Sequence, residues 1–467
     1  MEIIPLIQTF TNNFNKIFSS SINVFNLESK IRDAGDYFTI KLYETFLNYL
    51  DYQFKISLNR KKKYYVKETN RRTLNTSIGL IHINMTAYYD KVTKERYVFL
   101  RDILNLNPYQ RLTNEAEYQL TKYAMDENMS QAARHALRNT ILSRSTVSKK
   151  LKKLNGSIKE DIVKIKKQPK ILYIEMDEIH ANLQVGGNRV CPCAIVHEGH
   201  KEEFTKRKEL KNVRNFASSE LSYEQLWEVI FDYVDKRYDI DKFDEIFISG
   251  DGASGIKNYT NCFPKAKFVL DPFHYYRKGL KYIFKNDSTL LHIADTYLRN
   301  EMIDEFNCLV DVQIEKYPDS KKYIKDKAKY LINNIEGIKN QRHPLYKCPC
   351  AMEGHVSNSY ARYITSSPFG FSEDGLKNKL KLLVYKANKI EFTIEDYYQL
   401  KFGEDEYIKI NSNIKEITNI KYDQKLTSNN KKKTYLNKNY IISSTDSSND
   451  NNYMRKLTHM RNDVYII

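Results

Sequence analysis

IFISGDGASGIKNYTNCFPKAKFVLDPFH, residues 246–274, reads as strand, acidic turn, helix, strand, acidic turn. Ile246, Phe247 and Ile248 form a short apolar run, which Gly250-Asp251-Gly252 breaks. A run of that length ended by glycine suits a strand buried in a parallel or mixed sheet. Asp251 then falls at the carboxyl end of the strand, where open α/β sheets carry their ligands. Ala266 to Leu270 reads as a second buried strand, ended by Asp271-Pro272.

Working outward, residues 170–274 form one α/β unit. KILYIEMDEIHANLQ (170–184) is a strand with Asp177 near its end. Arg189 to His197 is a second strand, and a third lies within Phe204 to Phe216. Ser222 to Tyr238 is a helix that turns Leu226, Ile230, Tyr233 and Val234 inward. The order β-β-β-α-β-α-β, with acids on the first and fourth strands, is that of a ribonuclease-H-like domain. Its first three strands form a meander, and the fourth joins in parallel through a right-handed crossover. Residues 275–345 read as an all-α insertion. Residues 346–375 complete the core with one helix, on which Glu353, Val356, Tyr360 and Tyr363 share a stripe, so that Glu353 faces the sheet edge.

Before this unit lie three regions. Residues 1–58 read as helical, with Ile31, Phe38, Leu42, Phe46 and Leu50 at helical spacing. Residues 59–112 hold a basic β-hairpin or small three-stranded sheet, with Gly79 and Asp90-Lys91 at its turns and Tyr64 and Tyr65 among Arg60–Lys63, Arg71 and Arg72. Residues 113–169 carry two short helices. The first starts at Met129 with Ser130 as its cap, and the second, RSTVSKKLKKL, is capped by Ser143. Val147, Leu151 and Leu154 make the buried stripe of the second helix. Arg144, Ser145, Ser148, Lys149 and Lys152 face outward as in a helix-turn-helix. After Pro368 the chain turns polar, and 376–467 reads as a partly flexible region, above all 411–452.

Composition sets the partner class. Lys and Arg number 75 against 58 Asp and Glu in 467 residues, a formal charge of +17, and a polyanion complements such a surface. Six cysteines are too few for a disulfide framework in a chain this long. MEIIPLIQTF lacks a signal-peptide pattern, and no run reaches the ~20 apolar residues of a membrane span. A cytoplasmic, nucleoid-associated protein is the expectation.

Three carboxylates, Asp177, Asp251 and Glu353, stand 74 and 102 residues apart, so only a fold can gather them. Hard oxygen ligands select Mg²⁺ or Mn²⁺, and a pair of such ions supports phosphodiester hydrolysis and strand transfer. Glu175 is a rival to Asp177 on the same strand face, and Glu373 a distant rival to Glu353. Asp271 and His274 are secondary candidates; His274 orients a phosphate, pairs with Asp251 or sits satisfied in the core. His180 is another secondary candidate. Cys191, Cys193, His197, His200, Cys348 and Cys350 make a zinc alternative, weakened by the tight C-x-C spacing.

YIEMDEIHANLQ, ISGDGASGIKNY, FVLDPFHYYRK and CAMEGHVSNSYARY together resemble the ISLre-type insertion-sequence transposases, DDE enzymes similar to the Mutator-like group. TSIGLIHINMTAYYD and LSRSTVSKKL extend the resemblance over about residues 60–375. It implies a ribonuclease-H-like catalytic domain with a helical insertion and an upstream DNA-binding region, and it places the triad on Asp177, Asp251 and Glu353. It also implies terminal inverted repeats and target DNA as partners, and a dimer or larger assembly on DNA. This chain has Ile179 where the family usually shows Asp, and Gly255 where it tends to carry Trp. A DNA-binding repressor without catalysis and a structure-specific nuclease are the rival functions.

Overall fold

The computed structural model describes residues 3–19, 26–154, 165–201, 209–285, 287–365, 370–388, 391–403, 406 and 408. The stretch 411–452 and residues 155–164 lie outside them. The chain is mixed α/β with two sheets.

The larger sheet has the order β6-β5-β4-β7-β8: β4 is Ile171–Asn182, β5 Asn188–His197, β6 Arg214–Ala217, β7 Glu245–Gly250 and β8 Ala266–Leu270. β4, β5 and β6 pair antiparallel; β7 and β8 join β4 in parallel. The strands expected at 246–248 and 266–270 are both present. The third strand is shorter than expected and begins at Arg214. Asp177 is not near the end of its strand: β4 runs five residues past it, because its second half pairs with β5 alone in a long hairpin.

Helices cover both faces of this sheet. On one face Leu172, Ile174, Met176, Ile246 and Ile248 pack on helix Tyr223–Arg237, through Leu226, Trp227, Ile230 and Val234. Helices Ser288–Arg299, Ile303–Lys316, Lys321–Asn333 and Ile335–Asn340 occupy the region read as an insertion. Their apolar residues Leu298, Phe306 and Leu331 belong to that same core. On the other face Ile179, Cys193 and Ile195 meet Met352, Tyr360 and Leu380. Helix Glu373–Ala387 lies in the region read as polar. It bridges two cores, with Leu376, Leu380 and Leu383 toward the sheet and Leu382 and Tyr385 toward the helices that follow residue 112.

The smaller sheet is a meander of β1 (Tyr64–Thr76), β2 (Gly79–Asp90) and β3 (Arg96–Val98). The long helix Leu27–Ile56 packs on it. The expected stripe is buried only in part: Leu50 packs on this core, while Ile31, Leu42 and Phe46 stay 37%, 36% and 44% exposed. Glu44, Leu47 and Asp51 are buried instead, because the helix saturates the free edge of β2. The N–H groups of His82, Asn84 and Thr86 donate to Glu44, Asn48 and Asp51 at 2.7, 2.8 and 3.3 Å.

The larger sheet closes its edges in the same way. Asn340 and Gln341 donate to the carbonyls of Phe268 and Leu270 on β8 at 2.8 and 2.7 Å. The amide of Asn388 pairs with both the N–H and the carbonyl of Asn215 on β6, at 2.6 and 3.1 Å. Each cap replaces a missing neighbouring strand.

Candidate active site

Parallel register sets the site. β4 and β7 align Glu175 with Ser249, so Asp177 on β4 falls level with Asp251 just past β7. β7 and β8 align Gly250 with Leu270, and the Asp271 N–H donates to the Gly250 carbonyl at 2.8 Å. Two acidic turns therefore emerge side by side at the carboxyl ends of parallel strands.

The Asp251 turn is held from two sides. Its carboxylate accepts from the Ala253 N–H at 2.9 Å, and its carbonyl accepts the Tyr330 hydroxyl at 2.7 Å. Gly252 has φ +85°, and a Cβ there would lie 2.6 Å from the Asn334 side chain, so the turn requires glycine on both counts.

Asp271 caps the next helical turn by accepting from the Phe273 N–H, and it pairs with the Nδ1 of His274 at 2.9 Å. Nε2 of His274 lies 2.9 Å from Lys278 Nζ. A carboxylate only accepts and an ammonium only donates, so Nδ1 carries the proton and Nε2 accepts. His274 thus pairs with Asp271, not with Asp251.

Asp177 is half-buried. Burial pushes its carboxyl above the ordinary carboxylate range, and the charges of Glu353 and Asp251 push it further; the Glu178 N–H pulls the other way. Asp251 and Glu353 therefore act electrostatically on Asp177, although they are distant in sequence. Glu353 is exposed in the first turn of the helix that starts at Met352. A π-helical turn, Val356–Ala361, follows it, and another, Tyr276–Leu280, follows His274. Such turns occur frequently at functional sites.

The rivals are accounted for. Glu175 is 1% exposed. It takes His197 Nε2 at 3.0 Å on one oxygen, and the Ala351 N–H at 2.7 Å and the Cys350 thiol at 3.5 Å on the other. Nδ1 of His197 accepts from the Gly199 N–H, so this imidazole is neutral and donates to Glu175. Glu373 pairs with Arg189 at 3.1 Å and is solvent-exposed. His180 lies on the opposite strand face from Asp177, exposed and 3.6 Å from Glu178. Glu178 in turn accepts from the Tyr223 hydroxyl. Ile179 is buried among apolar side chains, where a carboxylate would be unpaired. At Gly255 a Cβ would sit 2.9 Å from the Tyr223 ring, and the Gly255 carbonyl accepts from Trp227 Nε1 at 3.0 Å. Aromatic rings from the neighbouring helix thus fill the space beside Gly255.

Among the described residues no three His, Cys, Asp or Glu side chains are gathered closely enough to hold a metal ion. That applies to the acidic site and to the cysteines alike. Cys191 and Cys193 lie in the core against Ile179, while Cys348 is 3.3 Å from His200. Asp177, Asp251 and Glu353 are all carboxylates, the ligand type of a hard cation, but they are not gathered into one site.

The proposed DNA-contact residues line a second feature. Helix Met129–His135 is capped by Asn128, whose side chain accepts from Ser130 and Gln131; Ser130 is therefore inside the helix and is not its cap. Asparagine and serine are equivalent on cap preference, which left the choice open. Helix Arg144–Leu151 has Ser143 as cap and buries Val147 and Leu151, as expected. Arg144, Ser145, Ser148, Lys149 and Lys152 all line a cleft of about 1040 Å³, whose far wall carries Gln184 from the β4–β5 turn and Arg362. Arg362 belongs to the helical segment that begins beside Glu353.

Fold and site together define a mixed α/β protein with acidic turns clustered at the ends of parallel strands. A model of the uncharacterised protein family UPF0236 matches residues 18–398, and the chain belongs to that family. A UPF0236 protein of Caldanaerobacter subterraneus subsp. tengcongensis is 30% identical over 385 residues, which are 81% of this chain and 80% of the relative. Another from that organism is 29% identical over 382 residues, 80% of each chain. The name of the first strings together eleven gene designations and that of the second four. Among the described residues no helix is long and apolar enough to cross a membrane.

Proposed function

We propose that this chain is a metal-dependent DNA transposase of the DDE type, with a ribonuclease-H-like catalytic core and a helix-turn-helix-like DNA-binding region. The observation that carries this reading is the parallel register that sets Asp177 level with Asp251, with the helix-borne Glu353 acting on the Asp177 carboxyl through its charge. Relatives named for many gene designations in one genome suit a protein encoded by a mobile element.

Asp177, Asp251 and Glu353 would hold Mg²⁺ or Mn²⁺, as one ion or two. A bound ion of this kind activates water or a 3′-hydroxyl and offsets charge developing at phosphorus. The chain's own groups do the rest. β4 and β7 set Asp177 and Asp251 level. Asp271 fixes the His274 ring, and Lys278 adds positive charge beside it. Arg144, Ser145, Ser148, Lys149 and Lys152 contact the duplex of the terminal repeats across the cleft, with Arg362 opposite. Two element ends need processing together, so the working form is a dimer or larger assembly on DNA in the nucleoid.

The test is a cleavage and strand-transfer assay on labelled DNA bearing the ends that flank the gene, with Mn²⁺. Wild type cuts and joins; Asp251→Asn and Glu353→Gln do neither. Binding without cutting by wild type would replace this reading with that of a DNA-binding repressor, and cutting without joining with that of a structure-specific nuclease.

A further inference from the structure

Tyr330, whose hydroxyl holds the Asp251 carbonyl, opens a run of rings and cations that leads away from the acidic site. Lys327 Nζ lies 5.8 Å from the Tyr330 ring centroid, 5.6 Å from that of Tyr323 and 5.5 Å from that of Tyr282. Tyr282 and Tyr323 meet edge to face at 5.5 Å, yet they remain 51% and 45% exposed. Earlier on the Tyr282 segment, Tyr276 is 44% exposed with Lys281 Nζ 5.4 Å from its ring. Among the described residues no carboxylate pairs with Lys327.

These rings do not behave as core. Packing that served only the fold would bury them, and a surface that served only solubility would not spend three tyrosines on it. Interleaved exposed aromatics and cations match one partner chemistry: bases that stack on rings, strung on a phosphate backbone. A duplex hides its base faces, so the partner is single-stranded.

We propose that Tyr282, Tyr323 and Lys327 form a platform for single-stranded DNA that takes the strand separated beside Asp251. The proposal rests on the transposase reading for the origin of that strand; its binding is measurable without catalysis.

The experiment is fluorescence anisotropy in EDTA with the full chain, using a labelled oligothymidine and a labelled duplex of equal length. Tyr282→Leu/Tyr323→Leu keeps apolar packing and removes the stacking rings. It should weaken single-strand binding about tenfold or more and leave duplex binding within about twofold. Lys327→Gln should weaken single-strand binding and flatten its salt dependence by about 0.7 in the log–log slope. Tyr282→Phe, which keeps the ring, should bind as wild type and controls for folding. Unchanged single-strand affinity in the double variant, or equal losses on both DNAs, overturns the platform. Wild type that binds single strands by these residues but cuts no element ends overturns the transposase reading and leaves the platform standing.

Discussion

The carboxylate of Glu175 accepts the backbone N–H of Ala351 at 2.7 Å, across 176 residues of sequence. Glu175 lies two residues before Asp177, and Ala351 two before Glu353. One buried hydrogen bond therefore fixes the β4 acid against the start of the helix that carries the third acid. Glu175→Ala would strip an acceptor from His197, Ala351 and Cys350 at a site closed to water. We expect a loss of about 3 kcal/mol in urea denaturation, from the His197, Ala351 and Cys350 donors it orphans. A midpoint and slope equal to wild type would show that this bond does not hold the two segments together.

Asp177 ionises at a cost. Its carboxyl is raised in the folded chain by burial first and by Glu353 and Asp251 next. A raised acid favours the folded state while protonated. The penalty is absent below about pH 4, where the unfolded carboxyl is also protonated, and it grows as pH rises through the folded pKa. Metal-free Asp177→Asn should therefore melt above wild type at pH 7, and the two should converge on acidification. Mn²⁺ should raise the melting temperature of wild type more than that of the variant. A variant that melts below wild type in EDTA at pH 7 would refute the electrostatic account.

Glu117 gives the opposite sign. It is 2% exposed and meets Lys150, Lys401 at 2.9 Å and the Tyr397 hydroxyl. Burial pushes its carboxyl up, but Lys401, Lys150 and Tyr397 together outweigh that and hold it below the ordinary range. Its stabilising contribution is present above about pH 4.5 and is lost as pH falls through the lowered value. Glu117→Ala leaves two cations unpaired and should cost about 3–5 kcal/mol at pH 7. Because Lys150 sits on the helix that carries Arg144 and Lys149, duplex binding should weaken in the same variant. Chemical denaturation from pH 3 to 7 measures this, and a constant difference between the two proteins across that range would contradict it.

Gly252→Ala should destabilise by more than about 1 kcal/mol, from a disfavoured φ and the collision with Asn334. Asn334→Gly in the same chain should recover the collision part but not the backbone part. Full recovery would mean that φ carries no strain at this turn.

The parts of this fold that were legible in the sequence are those in which one residue type has one job. Ile246–Ile248 ended by glycine, and Ala266–Leu270 ended by Asp-Pro, gave strands at the expected places because a fully buried strand admits little else. The Val147 and Leu151 stripe was legible for the same reason. The buried face of the long N-terminal helix was legible only in part. Apolar periodicity pointed to Ile31, Leu42 and Phe46, whereas the sheet edge needed acceptors, and Glu44, Asn48 and Asp51 supply them. Helix Glu373–Ala387 was hidden by its lysines, one of which, Lys379, is buried and donates to the carbonyls of Ala124, Met125 and Glu127. At the site, Asp251 could be placed from its turn alone. The pairing of Glu175 with His197 and Ala351 rests on tertiary contacts that no local pattern announces.

The side-chain caps on β2, β6 and β8 bear on how many copies of this chain can share one compartment. A strand whose outward N–H and carbonyl groups are already matched offers a nascent or damaged neighbour nothing to zip onto. β1, the outer strand of the smaller sheet, pairs with β2 on one side and, among the described residues, carries no such row of caps, so strand addition by a neighbour is directed to that border.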